Sequence, residues 1–463
     1  MGNQITVYST VKEKCFFQKR EPVLFMTERE DYEEREEKGG FDPTMKMSVK
    51  DSQAINVYPE VEYQTILGFG GAMTESAAIN LQKMDARTRE EVLEKYFSKE
   101  GLGYHFCRIS INSSDFSEAP YDYIEPLDAA LSSFSLEHEE NTVFKMIRCA
   151  ENTSGTELDV IATPWSPPAW MKTNSCRCNG GKLKPEYYSV WAEYFVKYVQ
   201  EARKRGIPVT TISIQNEPLA YVSWDSCIYS AQEERDFLKK YLYPALEAAG
   251  LSDIKIMIWD HNKDKMVERV RTIMEDAEAA SHVWGVAFHW YAGDHFEALD
   301  IVHQMYPELT MIYTEGCNGG VYRKTGEWCS GERIAHEIFG DLNHWTSACI
   351  DWNLVLDEQG GPTYAENYCD APIIYDTVRG KYILESSYYY IGHFSKYVQR
   401  GAKRIAFSAF SDTMDVSAFK NPDGQIVVVV MNREDEDRDI CLRCDGQLAS
   451  LKLEAHSIHT LLF

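Results

Sequence analysis

Between residues 66 and 399 the sequence switches eight times from a compact apolar run to a longer amphipathic stretch, and this regularity limits the fold more than any other feature. The apolar runs are ILGFGG (66–71), HFCRISI (105–111), DVIATPW (159–165), VTTISIQNEP (209–218), IKIMIWD (254–260), GVAFHWY (285–291), TMIYTEG (310–316) and SACIDWN (347–353). Helical patterning follows them over 77–98, 139–151, 186–204, 231–248, 263–280, 295–305, 330–342 and 378–399. Strands buried on both faces read as near-continuous apolar runs, and parallel neighbours need a crossover, usually a helix. Eight such units predict an α/β chain built on a (β/α)8 barrel of the TIM type.

The ends of the chain read differently. FFQKREPVLFM and MKMSVKDSQAINVYPEVEYQTI precede the barrel, and short strand-like stretches at 404–408, 425–431, 438–443 and 448–463 follow it, separated by NPDG and CDGQ turns. These predict a β-rich side domain assembled from both termini, residues 1–65 and 401–463, flanking a catalytic barrel at 66–400. The mixed-charge run EREDYEEREEK at 28–38 reads as a solvated loop or linker.

Charge narrows the function. Lys plus Arg is 47 and Asp plus Glu is 72, so the formal charge is −25. Such a surface repels phosphate backbones and anionic lipid, which argues against a nucleic-acid partner. No run of ~18 apolar residues predicts a membrane span. The N-terminal sequence shows no apolar leader core, and a cytoplasmic location is the expectation. The 12 cysteines are scattered. Cys441-x-x-Cys444 and the Cys176, Cys178 pair lack partners at zinc spacing, and HExxH is absent, so no metal site is expected. The sequence leaves the oligomeric state open.

The predicted strands end in polar or aromatic clusters: GFGG, RIS, TPW, QNEP, WDH, HWY, TEG and DWN. Barrel enzymes gather their chemistry at this end. Glu217 ends the fourth strand and Glu315 the seventh. Two carboxylates across a barrel mouth are what glycosidic cleavage needs, one protonated as acid and one ionised to attack. Each Glu could instead pair with a neighbouring Arg or Lys. Asn216 beside Glu217 offers an amide to a sugar hydroxyl, and Pro218 stiffens the strand exit, which favours the catalytic reading.

A set of motifs then carries a resemblance. Gly68-Phe69-Gly70-Gly71-Ala72-Met73-Thr74-Glu75, Ser114-Asp115-Phe116, Trp165-Ser166-Pro167-Pro168-Ala169-Trp170, Gln215-Asn216-Glu217-Pro218, His289-Trp290-Tyr291, Thr314-Glu315-Gly316, Asp351-Trp352-Asn353 and Asp370-Ala371-Pro372 run in order along the chain. Together they resemble glycoside hydrolase family 30 of clan A, the family of the glucosylceramidases. The resemblance implies Glu217 as general acid/base and Glu315 as nucleophile. It implies sugar contacts from Asp115, Trp165, Asn216, Trp352 and Asn367, with Tyr291 close to the nucleophile. His289 joins the substrate-binding set, although a His on an apolar strand also reads as a hydrogen-bonded core group. The implied activity is a retaining, exo-acting β-glucosidase of glucosylceramidase-like type, acting on a small-molecule β-glycoside without a cofactor. β-Xylosidase and β-1,6-glucanase activities of the same family are the alternatives, and a non-catalytic sugar-binding barrel is a third. The chain departs from the animal glucosylceramidases in its N-terminal segment, which holds Cys15 where they carry disulfides.

Overall fold

The computed structural model describes residues 4–27, 53–320, 323 and 325–463, and the charged run at 28–38 lies outside the described residues. The chain opens with β1 (Gln4–Val11), β2 (Cys15–Lys19), β3 (Val23–Leu24), β4 (Met26–Thr27) and β5 (Ala54–Thr65). Eight barrel strands follow: β6 (Gly68–Ala72), β7 (Phe106–Ile111), β8 (Asp159–Pro164), β9 (Val209–Ser213), β10 (Lys255–Asn262), β11 (Gly285–His289), β12 (Thr310–Glu315) and β13 (Thr346–Asn353). Next come the short β14 (Val355–Asp357), β15 (Ile373–Asp376) and β16 (Lys381–Leu384). The chain closes with β17 (Lys403–Ala409), β18 (Met414–Lys420), β19 (Ile426–Asn432), β20 (Arg438–Cys444), β21 (Gln447–Leu453) and β22 (Ser457–Leu462). Two compact units result, one from 1–68, 326–343 and 386–463, the other from 69–325 and 344–385.

In the first unit both ends of the chain share one 11-stranded sheet, in the order β2-β1-β22-β19-β18-β17-β5-β20-β21-β4, with β3 on β1. The N-terminal β1 lies antiparallel to the C-terminal β22, from Thr6 opposite Leu462 to Val11 opposite Ser457. β5 is held between β17 and β20. This is the β-rich domain made from both termini. Residues two apart on a strand share a face, and Ile5 and Val7, Ile55 and Val57, and Val428 and Val430 meet in one apolar core. Cys441 and Cys444 are both buried on β20, and none of the twelve cysteines, all among the described residues, is in a disulfide.

In the second unit β6 to β13 close into a parallel barrel in chain order. Its strands are buried nearly throughout: every residue of β6, β7, β11 and β13 is buried, and β8, β9 and β12 each have one partly buried residue. The glycines of GFGG are needed for closure, because a Cβ at Gly70 would stand 2.3 Å from the Phe106 carbonyl oxygen. Several helical expectations change: those over 139–151 and 263–280 are each split, into Glu137–Asn141 and Val143–Ser154 and into Met266–Met274 and Ala277–Ala280. The helix expected over 77–98 is two, Glu75–Lys83 and Ala86–Phe97, because the Asp85 carboxylate caps the second by accepting from the Arg87 and Thr88 amides. The stretch expected as helix from 378 begins as a hairpin. Asp376 accepts from the Val378 and Arg379 amides, and Gly380 turns the chain at φ +65°. β15 and β16 therefore pair, Tyr375 opposite Tyr382, and the helix runs over Ser386–Ser395.

Candidate active site

The fourth and seventh barrel strands deliver the two glutamates. Ligand atoms of Glu217, His289 and Glu315 lie within 4.8 Å of one another. Glu217 follows β9 with a left-handed φ of 45°, and its amide donates to the Asp260 carbonyl at 2.9 Å. Glu315 ends β12. The next residue must be Gly316, since a Cβ there would fall 1.7 Å from the Tyr313 hydroxyl oxygen.

Beneath the carboxylates lies a buried network. The Arg108 guanidinium, from the middle of β7 and fully buried, donates to Glu315 Oε2 at 2.6 Å, to Asn216 Oδ1 at 2.9 Å and to Asp260 Oδ2 at 3.1 Å. Asp260 also accepts from the Thr314 hydroxyl at 2.7 Å. His289 bridges the two sides, with Nδ1 3.1 Å from Glu217 Oε1 and Nε2 3.1 Å from Asp260 Oδ1. Asp260 reaches this position through a bulge in β10, where the register shifts between Trp259 and His261 and both Trp259 (φ 75°) and Asp260 (φ 53°) are left-handed. Bulges of this kind re-aim a side chain, and such backbone strain gathers at functional sites.

The charges set one another. Burial opposes the imidazolium of His289, but Glu315, Asp260 and Glu217 outweigh it and lift its pKa to about 9. Burial likewise acts to raise Asp260, yet Arg108, His289 and Thr314 hold it well below the usual carboxylate range. Glu217 is also held below its ordinary value, with the His289 hydrogen bond and the His261 and His289 charges overcoming burial. Glu217, His289 and Glu315 have the donor types for a cation. A cationic His289 among them and the Arg108 guanidinium on Glu315 oppose one electrostatically.

The other predicted residues stand around this centre. Trp165 and Trp352 stack at 5.3 Å with 22° between their planes, and the Arg108 guanidinium carbon lies 4.9 Å and 5.3 Å from their ring centres. The Asn367 amide donates to Asp115 Oδ2 at 2.9 Å. Burial raises the Asp115 carboxyl to about 7, against that hydrogen bond and with added repulsion from Glu315 and Glu217. The Tyr291 hydroxyl donates to Glu315 Oε1 at 3.0 Å, and its amide to Asn262 Oδ1 at 2.9 Å. Both ring nitrogens of His289 face carboxylates, so it supports the glutamates rather than offering a free donor to a sugar.

The sequence gives Arg108 and Asp260 no role beyond membership of the strand-end clusters RIS and WDH. Arg108 sits inside the apolar run HFCRISI, where a lone cation is the available signal. Asp260 was visible as a strand-end residue, but the bulge that turns it inward leaves no mark in residue types.

A closed parallel barrel with paired glutamates at the ends of strands four and seven defines a glycoside hydrolase. The chain belongs to glycosyl hydrolase family 30: residues 66–398 match its TIM-barrel domain and 401–461 its beta sandwich domain. It is 34% identical to the lysosomal acid glucosylceramidase of Mus musculus over 431 residues, covering 88% of this chain and 83% of the mouse protein. It is 30% identical to the endo-1,6-beta-D-glucanase BGN16.3 of Trichoderma harzianum, covering 86% and 84%. The crystal structure of SrfJ from Salmonella typhimurium superposes with a TM-score of 0.91 at 33% identity, covering 99% of each chain. Among the described residues, no helix is long and apolar enough to cross a membrane.

Proposed function

We propose that this chain is a retaining, exo-acting β-glycosidase that releases terminal β-D-glucose by double displacement, with a glucosylceramidase-like active site. The spacing of the glutamates carries the reading. Their nearest oxygens fall within 4.8 Å. Retaining enzymes set their carboxyl groups ~5–5.5 Å apart, and inverting enzymes need ~6.5–9.5 Å to seat a water. The similarity to the mouse glucosylceramidase supports the sugar assignment.

The chemistry follows from the network. Glu315, oriented by hydrogen bonds from Arg108 and Tyr291, attacks the anomeric carbon. The leaving oxygen takes a proton from Glu217. Glu217 is itself held low, so the proton is shared with His289, whose Nδ1 faces Glu217 Oε1 at 3.1 Å while Asp260 anchors Nε2. In the second step Glu217 acts as base and activates water against the covalent glycosyl ester. Asp115 and Asn367 bind sugar hydroxyls, and the Trp165 and Trp352 rings cover apolar sugar faces.

Endo-cleavage of β-1,6-glucan is the second reading, supported by the similarity to the Trichoderma enzyme. Turnover of nitrophenyl β-glucoside, nitrophenyl β-xyloside and a β-1,6-linked gluco-oligosaccharide series separates the readings. The expected result is preference for the aryl glucoside over the xyloside, with glucose released singly. Internal cuts in the oligosaccharides would replace this reading with the endo one. For the mechanism, Glu217→Ala acting on dinitrophenyl β-glucoside should be accelerated by azide and yield the β-glycosyl azide, since azide needs no general base. An α-azide would reverse the roles.

A further inference from the structure

Outside the strand wall of the active site lies a buried ion pair that touches neither catalytic glutamate. Glu234, on the helix Ala231–Phe237, and Arg269, on the helix Met266–Met274, are 1% and 5% exposed. Glu234 Oε2 accepts from Arg269 Nε at 2.7 Å. Its other oxygen, Oε1, accepts from the Trp259 amide at 2.9 Å. The Arg269 guanidinium lies over the Trp259 ring, 5.4 Å from its centre, and donates from Nη1 to the Tyr229 carbonyl at 2.7 Å. The Tyr229 amide in turn donates to the Pro218 carbonyl at 2.9 Å.

These contacts meet at the two strained places in the site. Trp259 and Asp260 form the left-handed bulge of β10, and Glu217 is left-handed after β9. Backbone in this region persists where the surroundings over-determine it. One arm of the pair holds the amide of the bulge, and the other holds the segment that follows Glu217. Asp260 joins the two, accepting the Glu217 amide on its carbonyl and His289 on its side chain.

We propose that the Glu234–Arg269 pair is a positioning element for the reaction: it fixes the Trp259–Asp260 bulge and, through Asp260, sets His289 and Glu217 for proton transfer. Neither residue touches substrate. The inference rests on the reading of Glu217 as general acid, and its test includes a readout that does not.

The double variant Glu234→Leu/Arg269→Met removes the anchor without leaving a lone buried charge, an exchange that folds are known to tolerate. Two measurements decide. The first is the imidazole titration of His289 by NMR with labelled histidine, assigned with His289→Gln. Asp260, Glu217 and Glu315 face this ring, with the His261 ring 6.4 Å away. The wild-type midpoint of about 9 should fall by about one pH unit as Asp260 withdraws. The second is the ratio of kcat/KM for dinitrophenyl over phenyl β-glucoside, which should rise about tenfold, because the poor leaving group depends on the acid. Glu234→Gln keeps an acceptor for the Trp259 amide and should restore both readouts most of the way. A purely structural pair would lower both substrates alike and leave the titration unmoved. That result in the folded double variant overturns the proposal. If the double variant fails to fold, Glu234→Asp, which shortens the arm and keeps a charge beside Arg269, should move both readouts in the same direction, and unmoved readouts overturn the proposal equally. A wild type inactive on every glycoside would strike the glycosidase reading, while the titration would still judge the anchor.

Discussion

Buried histidines in the two units of this protein differ in charge, cationic in one and neutral in the other, although each is almost completely hidden from solvent. In the barrel, His289 lies between Glu217 and Asp260 and is lifted to about 9. In the sheet unit, His459 lies between the Ser9 and Ser457 hydroxyls at 2.8 Å each, while the Glu454 carboxylate stands farther off at 3.6 Å and is paired with Arg20, and burial, with Arg20 adding to it, lowers the ring to about 3. His393, between the Thr10 and Thr460 hydroxyls at 2.9 Å each, is likewise driven well below its ordinary value by burial, with His459 adding to it. Burial is common to all three, so the partners decide. Hydroxyls satisfy a neutral ring, while carboxylates create a cation. The same contrast holds for buried aspartates inside the barrel unit. Asp260, beside Arg108 and His289, is held low. Asp351, opposed by little more than the Trp352 backbone N–H, is pushed by burial to about 7, and its Oδ1 has no hydrogen-bond partner. The barrel mouth holds charge because opposite charges are placed there together. Where no opposite charge stands beside the buried group, as at His393 and Asp351, burial favours the neutral form.

Removing the central cation should break this comparison most severely. Arg108→Met strands Glu315 and Asp260 without their counter-charge, and losing one partner of a buried pair costs ~3–5 kcal/mol. We expect kcat/KM on dinitrophenyl β-glucoside to fall by roughly 10³-fold. A loss below tenfold would mean that Arg108 is not what orients the nucleophile.

His289→Gln should cost less, about 10²-fold in kcat/KM, the typical worth of a positioned proton donor. It should also move the basic limb of the pH profile to lower pH. In the wild type the shared proton is retained by a group lifted to about 9, and without the imidazole Glu217 must hold it alone. An unchanged limb would remove His289 from the proton path.

Asp351→Asn addresses stability. The folded carboxyl is raised above its unfolded value, so its contribution is fully present below pH ~4 and lost as pH rises through about 7. Urea unfolding should show wild type losing ~4 kcal/mol relative to the Asn variant across that window. Parallel curves would show that Asp351 finds a partner at neutral pH.

His459→Leu should have the smallest effect and leave activity unchanged. The folded ring is depressed to about 3, so its contribution is present above pH ~6.5 and is lost as pH falls toward 3. Between pH 7 and 5 the variant should lose about 2 kcal/mol less than wild type. An equal loss would mean that the ring charges in place.

The barrel was legible because its signal repeats. Eight apolar runs with helices between them admit few other closures, and their polar ends point to one face. Glu217 and Glu315 were legible for the same reason, since each ends a strand. The network beneath them was not. Arg108 looks like any residue inside HFCRISI until the barrel brings β7 opposite β12. The inward turn of Asp260 depends on a one-residue bulge, and a bulge is a matter of pairing between strands rather than of composition. The state of the histidines was illegible in principle. His289 in FHWY and His459 in SIHT both sit on apolar strands, and their charge is set by residues that only the folded chain brings within hydrogen-bond reach. The hairpin at β15 and β16 was missed for a local reason. The Asp376 turn and Gly380 outweigh a periodicity that continues into the helix from Ser386.

The central claim is that Glu315 becomes covalently bonded to the sugar while Glu217 handles the proton. Trapping the intermediate tests it most directly. Dinitrophenyl 2-deoxy-2-fluoro-β-glucoside forms the glycosyl ester quickly and hydrolyses it slowly. Mass spectrometry of a peptic digest of the inactivated wild type should place the fluoroglucosyl group on Glu315. A label on Glu217, or turnover that gives α-glucose with no covalent adduct, would contradict the account.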